Sequence, residues 1–446
     1  MHADQGHRAA ARAASMSLAH GGAQTIAQKI IAAHCGRDAV EAGDYVTVSP
    51  DYVACQELFW PGHKRNLERI GVDRIPRPDK AVMVIDHSTA AAMGSHHHET
   101  HRTLRDWCDR QGIENFFGPG NGLRHLVLTE RGFARPGTLI FSDEGNIASI
   151  GALGALNLPI STEVIVAIIQ DENWIAVPPS ARLTLTGRLG FGVTARDVIQ
   201  TILRDCTADG RLLQCCVEFD GPGLATLSLD DRQAILASLF HAGAYTGIME
   251  PDALALEYVR ARDGGRPWQV VRADPGAPYM TRLTYDLAAI QPMVTLPPDA
   301  HGAVPVAQAA GQRIDQATIG SCANGRLDDL REAARLLRGR QVAPHVTLYV
   351  TPGSRGVYVE AAREGLLAVL AEAGATILAP GCTTCWGYQG VLNENEVLIS
   401  TQQFNYQGRN GARSSRVFLA GPAVVAASAV AGRIVDPRPM LAGEVA

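Results

Sequence analysis

The sequence predicts an α/β protein built on mostly parallel sheets covered by helices, in three domains, and three observations carry that expectation. Short, wholly apolar runs such as Ala81-Val82-Met83-Val84-Ile85 have strand length, and a strand without polar alternation is buried on both faces. These runs alternate with stretches of helical period, the pattern of strand–helix–strand units. Aromatic residues make up only 6% of the chain while glycine occurs 45 times, which suits tight strand-to-helix turns.

The elements follow in chain order. Thr25 to His34 carries an apolar helical pattern, and Tyr45–Val48 alternates as a half-buried strand does. Ala81–Ile85 reads as a buried parallel strand ending at Asp86-His87. Thr138–Phe141 is a second, ending at Ser142-Asp143-Glu144. Val164–Ile169 is apolar and short, so helix and strand both stay open there. Thr194–Asp205 is expected to be an amphipathic helix, with Thr194 as cap and Asp197 three residues on. Thr347–Val350 reads as a strand running into Thr351-Pro352-Gly353-Ser354, and Gly356–Ala373 as one long helix. The Ala-rich Val424–Gly432 reads as a packed helix. In parallel sheets chemistry gathers at the carboxyl ends of strands, where these polar residues fall.

Val294–Gln308 is Pro/Gly-rich and weakly patterned, and reads as an interdomain connection. The expected division is a disordered N-terminal extension over 1–17, with Met16 a candidate start, then α/β domains over 18–185, 186–296 and 297–446. The last domain carries the cysteines discussed below.

Composition bounds the function. With 46% hydrophobic residues among 446, the chain can bury large cores. The net charge of −5 comes without a basic stripe, which argues against nucleic acid as partner. No run of about 18 apolar residues argues for a membrane span. The N-terminus lacks the apolar stretch of a secretory signal. Nine cysteines at irregular spacing do not form a disulfide framework, so reduced thiols and a cytoplasmic location are expected. Cys35, Cys55, Cys108, Cys206, Cys215 and Cys216 read as small buried hydrophobes.

The other three cysteines differ. Cys382 and Cys385 form a Cys-x-x-Cys in Gly381-Cys382-Thr383-Thr384-Cys385-Trp386-Gly387, which alone fits a redox pair or half a zinc site. Cys322, in Ile319-Gly320-Ser321-Cys322-Ala323-Asn324-Gly325-Arg326, adds a third thiol. Three thiolates can hold a [4Fe–4S] cubane by three irons and leave the fourth open as a Lewis acid. The run Ser95-His96-His97-His98-Glu99-Thr100-His101 reads as a solvated loop or helix start rather than a metal site, and Gly118-Pro119-Gly120 as a turn.

The Gly-Ser-Cys-x-Asn-Gly-Arg run, the Cys-x-x-Cys and Gly408-Arg409 together resemble the aconitase family, in its branch of isopropylmalate dehydratase large subunits. The similarity runs from about Leu18 to about Arg438. It implies an iron–sulfur hydro-lyase acting on a small hydroxy-carboxylic acid. Cys322, Cys382 and Cys385 are its implied ligands for a [4Fe–4S] cluster. Asp86-His87 is implied as the proton donor to the leaving hydroxyl, with Asp86 orienting His87. His125, in Gly122-Leu123-Arg124-His125, is implied to pair with an aspartate of the next strand. Glu218, in Val217-Glu218-Phe219-Asp220-Gly221, is implied to bind the cluster-bound water. In single-chain relatives a further mobile domain supplies the base, so a separate small, swivelling-domain subunit is implied here.

Two departures from the family pattern bear on substrate. Where the family carries Asp-Ser-His-Thr, the ungapped alignment places Glu144-Gly145-Asn146-Ile147, and a shift by one places Asp143 at the aspartate. Both acids stay candidates, and Asn146 replaces the histidine that pairs with Glu218. In Gln402-Gln403-Phe404-Asn405-Tyr406-Gln407-Gly408-Arg409, Phe404 replaces a carboxylate-binding arginine while Arg409 is kept. The economical expectation is a working cluster with an altered substrate. The alternatives are ordinary 3-isopropylmalate dehydration and a non-catalytic cluster-binding protein.

Overall fold

The structure, a computed structural model, describes residues 22–90 and 94–443. The expected N-terminal extension and the candidate start at Met16 lie outside the described residues.

Three parallel or mostly parallel sheets organise the chain. In the first, strands β2 (Tyr52–Gln56), β3 (Ala81–Val84), β4 (Phe116–Phe117), β5 (Leu139–Ser142) and β6 (Leu156–Pro159) lie in the order β4-β3-β2-β5-β6, all parallel. Val53, Ala81 and Met83 pack into one apolar cluster, and Ala54, Val82 and Val84 into another. Both faces are therefore covered, which is why these strands show no polar alternation. Beside this sheet β1 (Tyr45–Val48) pairs antiparallel with β7 (Asn173–Ala176), each alternating exposed and buried.

The second sheet runs β10-β9-β8-β11, from Thr246–Met249, Cys216–Asp220, Ser180–Thr186 and Tyr279–Asp286, again all parallel. Helix Ala195–Cys206 packs its Val198, Ile199, Ile202 and Leu203 on this sheet. The expected capping box opens it, with Thr194 N–H donating to Asp197 Oδ2 at 2.7 Å.

The third sheet has the order β13-β12-β18-β17-β14-β15-β16, from Ala303–Pro305, Met293–Thr295, Arg416–Ala420, Val397–Ser400, Gln316–Gly320, Thr347–Thr351 and Ala375–Ile377. Its last five strands are parallel; β12 and β13 form an antiparallel edge. Val294–Gln308 is thus not a bare connection. It contains β13 and most of β12, which pair with each other, and Pro297, Pro298 and Gly302 fall in the turn between them. The Ala-rich helix, Pro422–Ala431, is buried against this sheet.

One further difference from the sequence reading has a local cause. The long helix expected over Gly356–Ala373 is two helices, Arg355–Arg363 and Leu366–Glu372, because Gly365 between them takes a left-handed φ of 71°. Val164–Gln170, left open between helix and strand, is helical. The His-rich run begins the helix Ser95–Gln111.

Candidate active site

The carboxyl ends of the first and third sheets meet at the cysteines. Gly320 ends β14 with φ 119°, and a Cβ there would lie 1.9 Å from Thr351 O, so only glycine lets the strand turn into Ser321-Cys322 so close to its neighbour. Ser321 also takes a positive φ of 62° and donates its hydroxyl to Cys382 O at 3.1 Å. The Cys-x-x-Cys lies in the turn-rich segment after β16, where Cys385 N donates to Cys382 O at 2.8 Å. The sulfurs of Cys322, Cys382 and Cys385 are buried and lie within 4.8 Å of one another, with Cys322 and Cys385 Sγ at 3.7 Å. Leu123 and Leu126 complete a small apolar cluster around them. Three free thiols converging in an apolar setting fit a soft iron–sulfur centre.

Cys382 N donates to Asp86 O at 2.7 Å, which ties the cysteine loop to the end of β3. There Asp86 Oδ1 and His87 Nδ1 are 2.6 Å apart, both residues buried. Burial opposes the imidazolium, but the charge and hydrogen bond of Asp86, with Glu144 and Glu57 beyond, overcome it and push His87 up to about 10. Burial likewise opposes the Asp86 carboxylate; the His87 charge outweighs it and brings Asp86 down to about 2. The pair is therefore carboxylate and imidazolium at neutral pH. His87 Nε2 points toward Glu144 Oε1 at 3.7 Å, and Trp386 meets the His87 ring edge-on at 5.3 Å.

The two acids after β5 separate cleanly. Asp143 is fully buried in an ion pair with Arg124 and accepts Gln56 N–H at 3.1 Å. Glu144 accepts from Arg124 Nη2 at 2.9 Å and reaches His87. Burial raises the Glu144 pKa. His125 does not pair with an aspartate as the resemblance implied. Arg124 takes both acids, and neither His125 ring nitrogen has a partner. Burial, then the charge of Arg326, keep His125 neutral.

Glu218 is placed otherwise than expected. Its carboxylate accepts from Ala27 N at 2.9 Å, Ile26 N at 3.1 Å and Tyr279 OH at 2.7 Å. It caps the helix Ile26–Cys35 from β9, satisfying donors that have no partner within the helix. Asn146 has no histidine-like partner in Glu218, and its buried Oδ1 is unpaired.

Arg409 Nε donates to Cys385 O at 2.6 Å, and its Nη1 donates to Tyr406 OH at 2.8 Å. Its guanidinium lies 4.5 Å from the Trp386 ring centre and 4.8 Å from that of Phe404. Phe404 in turn meets His241 edge-on at 5.0 Å. Burial, then the charge of Arg196, lower His241 to about 3, so it is neutral.

His241, Arg124, Arg196 and Glu57 were not among the residues singled out from sequence. Glu57 carries the strongest case. Fully buried, it accepts the backbone N–H groups of Asp86, His87 and Ser88 at 3.1, 2.9 and 2.6 Å, and the Ser88 hydroxyl at 2.8 Å. It is the anchor of the turn that presents His87. Glu57→Gln is expected to lower stability by about 1–3 kcal/mol in chemical denaturation, through loss of charge-assisted bonds. It should also lower kcat by up to about 100-fold with KM nearly unchanged, because it displaces the proton donor rather than a substrate contact.

The sequence profile of the aconitase family (aconitate hydratase) matches residues 28–432. The chain belongs to the aconitase family. It is 40% identical to 3-isopropylmalate dehydratase large subunit 1 of Methanopyrus kandleri, over 94% of this chain and 100% of that protein. It is 38% identical to large subunit 1 of the same enzyme from Pyrococcus furiosus, over 93% and 99%. The large subunit from Aquifex aeolicus is 36% identical, over 94% and 98%. Family membership accords with the α/β fold of mostly parallel sheets and with a hydro-lyase, and the three convergent thiols are what an iron–sulfur member of the family needs.

Proposed function

We propose that the chain is the large subunit of an iron–sulfur hydro-lyase that removes water from, or adds it to, a small hydroxy-carboxylic acid. One observation carries the reading: three buried thiols converge beside a buried Asp86–His87 pair whose facing atoms are 2.6 Å apart. Cys322, Cys382 and Cys385 are the proposed ligands of a [4Fe–4S] cluster. When bound, such a cluster supplies an iron without a cysteine ligand, and with it an open Lewis-acid position.

The chain's own residues supply the rest. Asp86 accepts a hydrogen bond from His87 Nδ1–H and fixes the ring, so that Nε2–H is the proton available to the departing hydroxyl. Hydroxide is a poor leaving group, so a donor in place lowers the barrier. Trp386 packs edge-on against the ring. Arg124 holds Glu144 in place toward His87, where its carboxyl group can hydrogen-bond a substrate hydroxyl. Arg409, pinned by Cys385 O and three aromatic rings, presents its remaining N–H donors to a substrate carboxylate.

The words "large subunit" in the relatives' names support a separate small partner that completes the site. The three main sheets are proposed as the centres of three domains. Among the described residues no helix is long and apolar enough to cross a membrane, and the free cysteines favour a cytoplasmic setting. The relatives' names also favour a second reading, ordinary 3-isopropylmalate dehydration.

The test is turnover by the cluster-loaded chain, alone and with a small partner subunit, on malate derivatives and hydroxy monoacids. The expected result is water loss or addition with the partner and almost none without it. Robust turnover by the single chain overturns the two-subunit arrangement. No turnover of any such acid by the loaded complex overturns the hydro-lyase.

A further inference from the structure

Beyond the proton donor and the cysteines, the structure holds a group of neutral aromatic residues that the reaction itself does not require. Phe404 lies between Arg409 and the segment Leu239–Ala242, which precedes β10. Its ring centre is 5.6 Å from that of Phe240 and 5.0 Å from that of His241. Phe240 and His241 are themselves 4.1 Å apart. All three rings are half-buried, so each keeps some surface free. Arg409 links the group to the cysteines, with its guanidinium over Phe404 and its Nη2 3.8 Å from Cys385 Sγ.

A second observation shows that the group is built rather than incidental. Gly145 begins the stretch Gly145–Leu153 after β5, and a Cβ there would lie 2.9 Å from Phe240 Cβ and 3.2 Å from Phe240 Cγ. Phe240 fits only because residue 145 has no side chain. Gly145, Phe240 and Phe404 are thus matched in one packing arrangement that spans all three sheets.

A third concerns charge. Arg196 is fully buried, and its terminal nitrogens are taken by Gln402 O at 2.9 Å and Ser238 Oγ at 3.2 Å. Arg409 is committed on Nε and Nη1, as described. The rings of Phe240, His241 and Phe404 therefore offer a substituent aromatic surface, and the cation over Phe404, Arg409, is already engaged by Cys385 O and Tyr406. A carboxylate set on such a face loses hydration without gaining a bidentate partner. A flat apolar group gains ring contacts.

We propose that Phe240, His241 and Phe404, seated on Gly145, select the substrate's variable substituent as an aryl or comparably large apolar group in place of a carboxylate. The proposal rests on the hydro-lyase reading, with Arg409 holding the carboxylate common to all substrates.

The experiment is calorimetric titration of the cluster-loaded complex with malates carrying a benzyl, an isopropyl or a carboxymethyl substituent. The benzyl compound is expected to bind at least tenfold more tightly than the carboxymethyl compound, with isopropyl between them. Phe404→Arg is expected to move the benzyl-to-carboxymethyl ratio at least tenfold toward carboxymethyl. Phe240→Leu, a smaller change that keeps the fold testable, is expected to move it in the same direction. Equal or tighter binding of the carboxymethyl compound by the unmodified complex overturns the proposal. So does a ratio that neither variant changes. Turnover decides the underlying reading separately: a complex that prefers the benzyl compound but dehydrates nothing refutes the hydro-lyase and supports the selective face.

Discussion

Single replacement of Cys322, Cys382 or Cys385 by serine is expected to abolish cluster assembly and all measurable turnover. The thiolate is the soft, ionisable ligand; a serine hydroxyl is harder and stays protonated at neutral pH. The three sulfurs lie within 4.8 Å of one another, and the only other candidate ligand group among the described residues is Glu57, Asp86 and His87, which is already hydrogen-bonded. No neighbouring thiol is therefore placed to substitute. Cys216→Ser is the control. Cys216 lies buried at the start of β9 within the apolar core, and its loss should leave iron content intact. The measurement is iron and acid-labile sulfide per chain after anaerobic reconstitution, with the brown absorbance as a second readout. A full complement in any of the three variants would show that the ligand assignment is wrong.

The parts of this site that were legible in the sequence are those whose chemistry is local. Asp86 and His87 are adjacent, so closing a buried strand is enough to pair them. Cys382 and Cys385 are three residues apart, so a single turn, with Cys385 N on Cys382 O at 2.8 Å, brings the two thiols together. The capping box at Thr194 and Asp197 is local too. What stayed hidden reaches in from elsewhere. Glu57 anchors the Asp86–Ser88 turn across 29 to 31 residues of chain. Arg196 bridges to Gln402 across 206. Neither carries a local signal. The helix-capping contacts of Glu218 stayed hidden too, because an acid in the middle of a strand looks the same whatever it faces; they depend on where Ile26 and Ala27 lie. His125 misled because Arg124, its immediate neighbour, outcompetes it for the acids. The split at Gly365 was legible in principle, since glycine inside a helical pattern weakens the case for a continuous helix.

His87→Gln is expected to lower kcat by about 10²- to 10⁴-fold, the range for loss of a general acid, with a smaller effect on KM. Glutamine is neutral and cannot deliver a proton at Nε2, but it fills similar space, so cluster content should be unchanged. The pH dependence gives a second, independent readout. With His87 raised to about 10, the unmodified enzyme should hold its donor through neutral pH and lose kcat only as pH approaches 10. Asp86→Asn removes the charge that overcomes burial, so the alkaline limb should move down toward or below neutral pH. Stability follows the same pair. The raised His87 pKa means its contribution is complete below about 6.5 and is lost as pH rises toward 10. The lowered Asp86 pKa means its contribution is complete above about 3.8 and is lost as pH falls toward 2. Both describe one interaction, counted once. The stability difference between the unmodified chain and Asp86→Asn should therefore be largest between about pH 4 and 6.5, and shrink on either side. An alkaline limb that stays in place in Asp86→Asn would mean that another group donates the proton, and would remove His87 from the reaction whatever the size of its kcat effect.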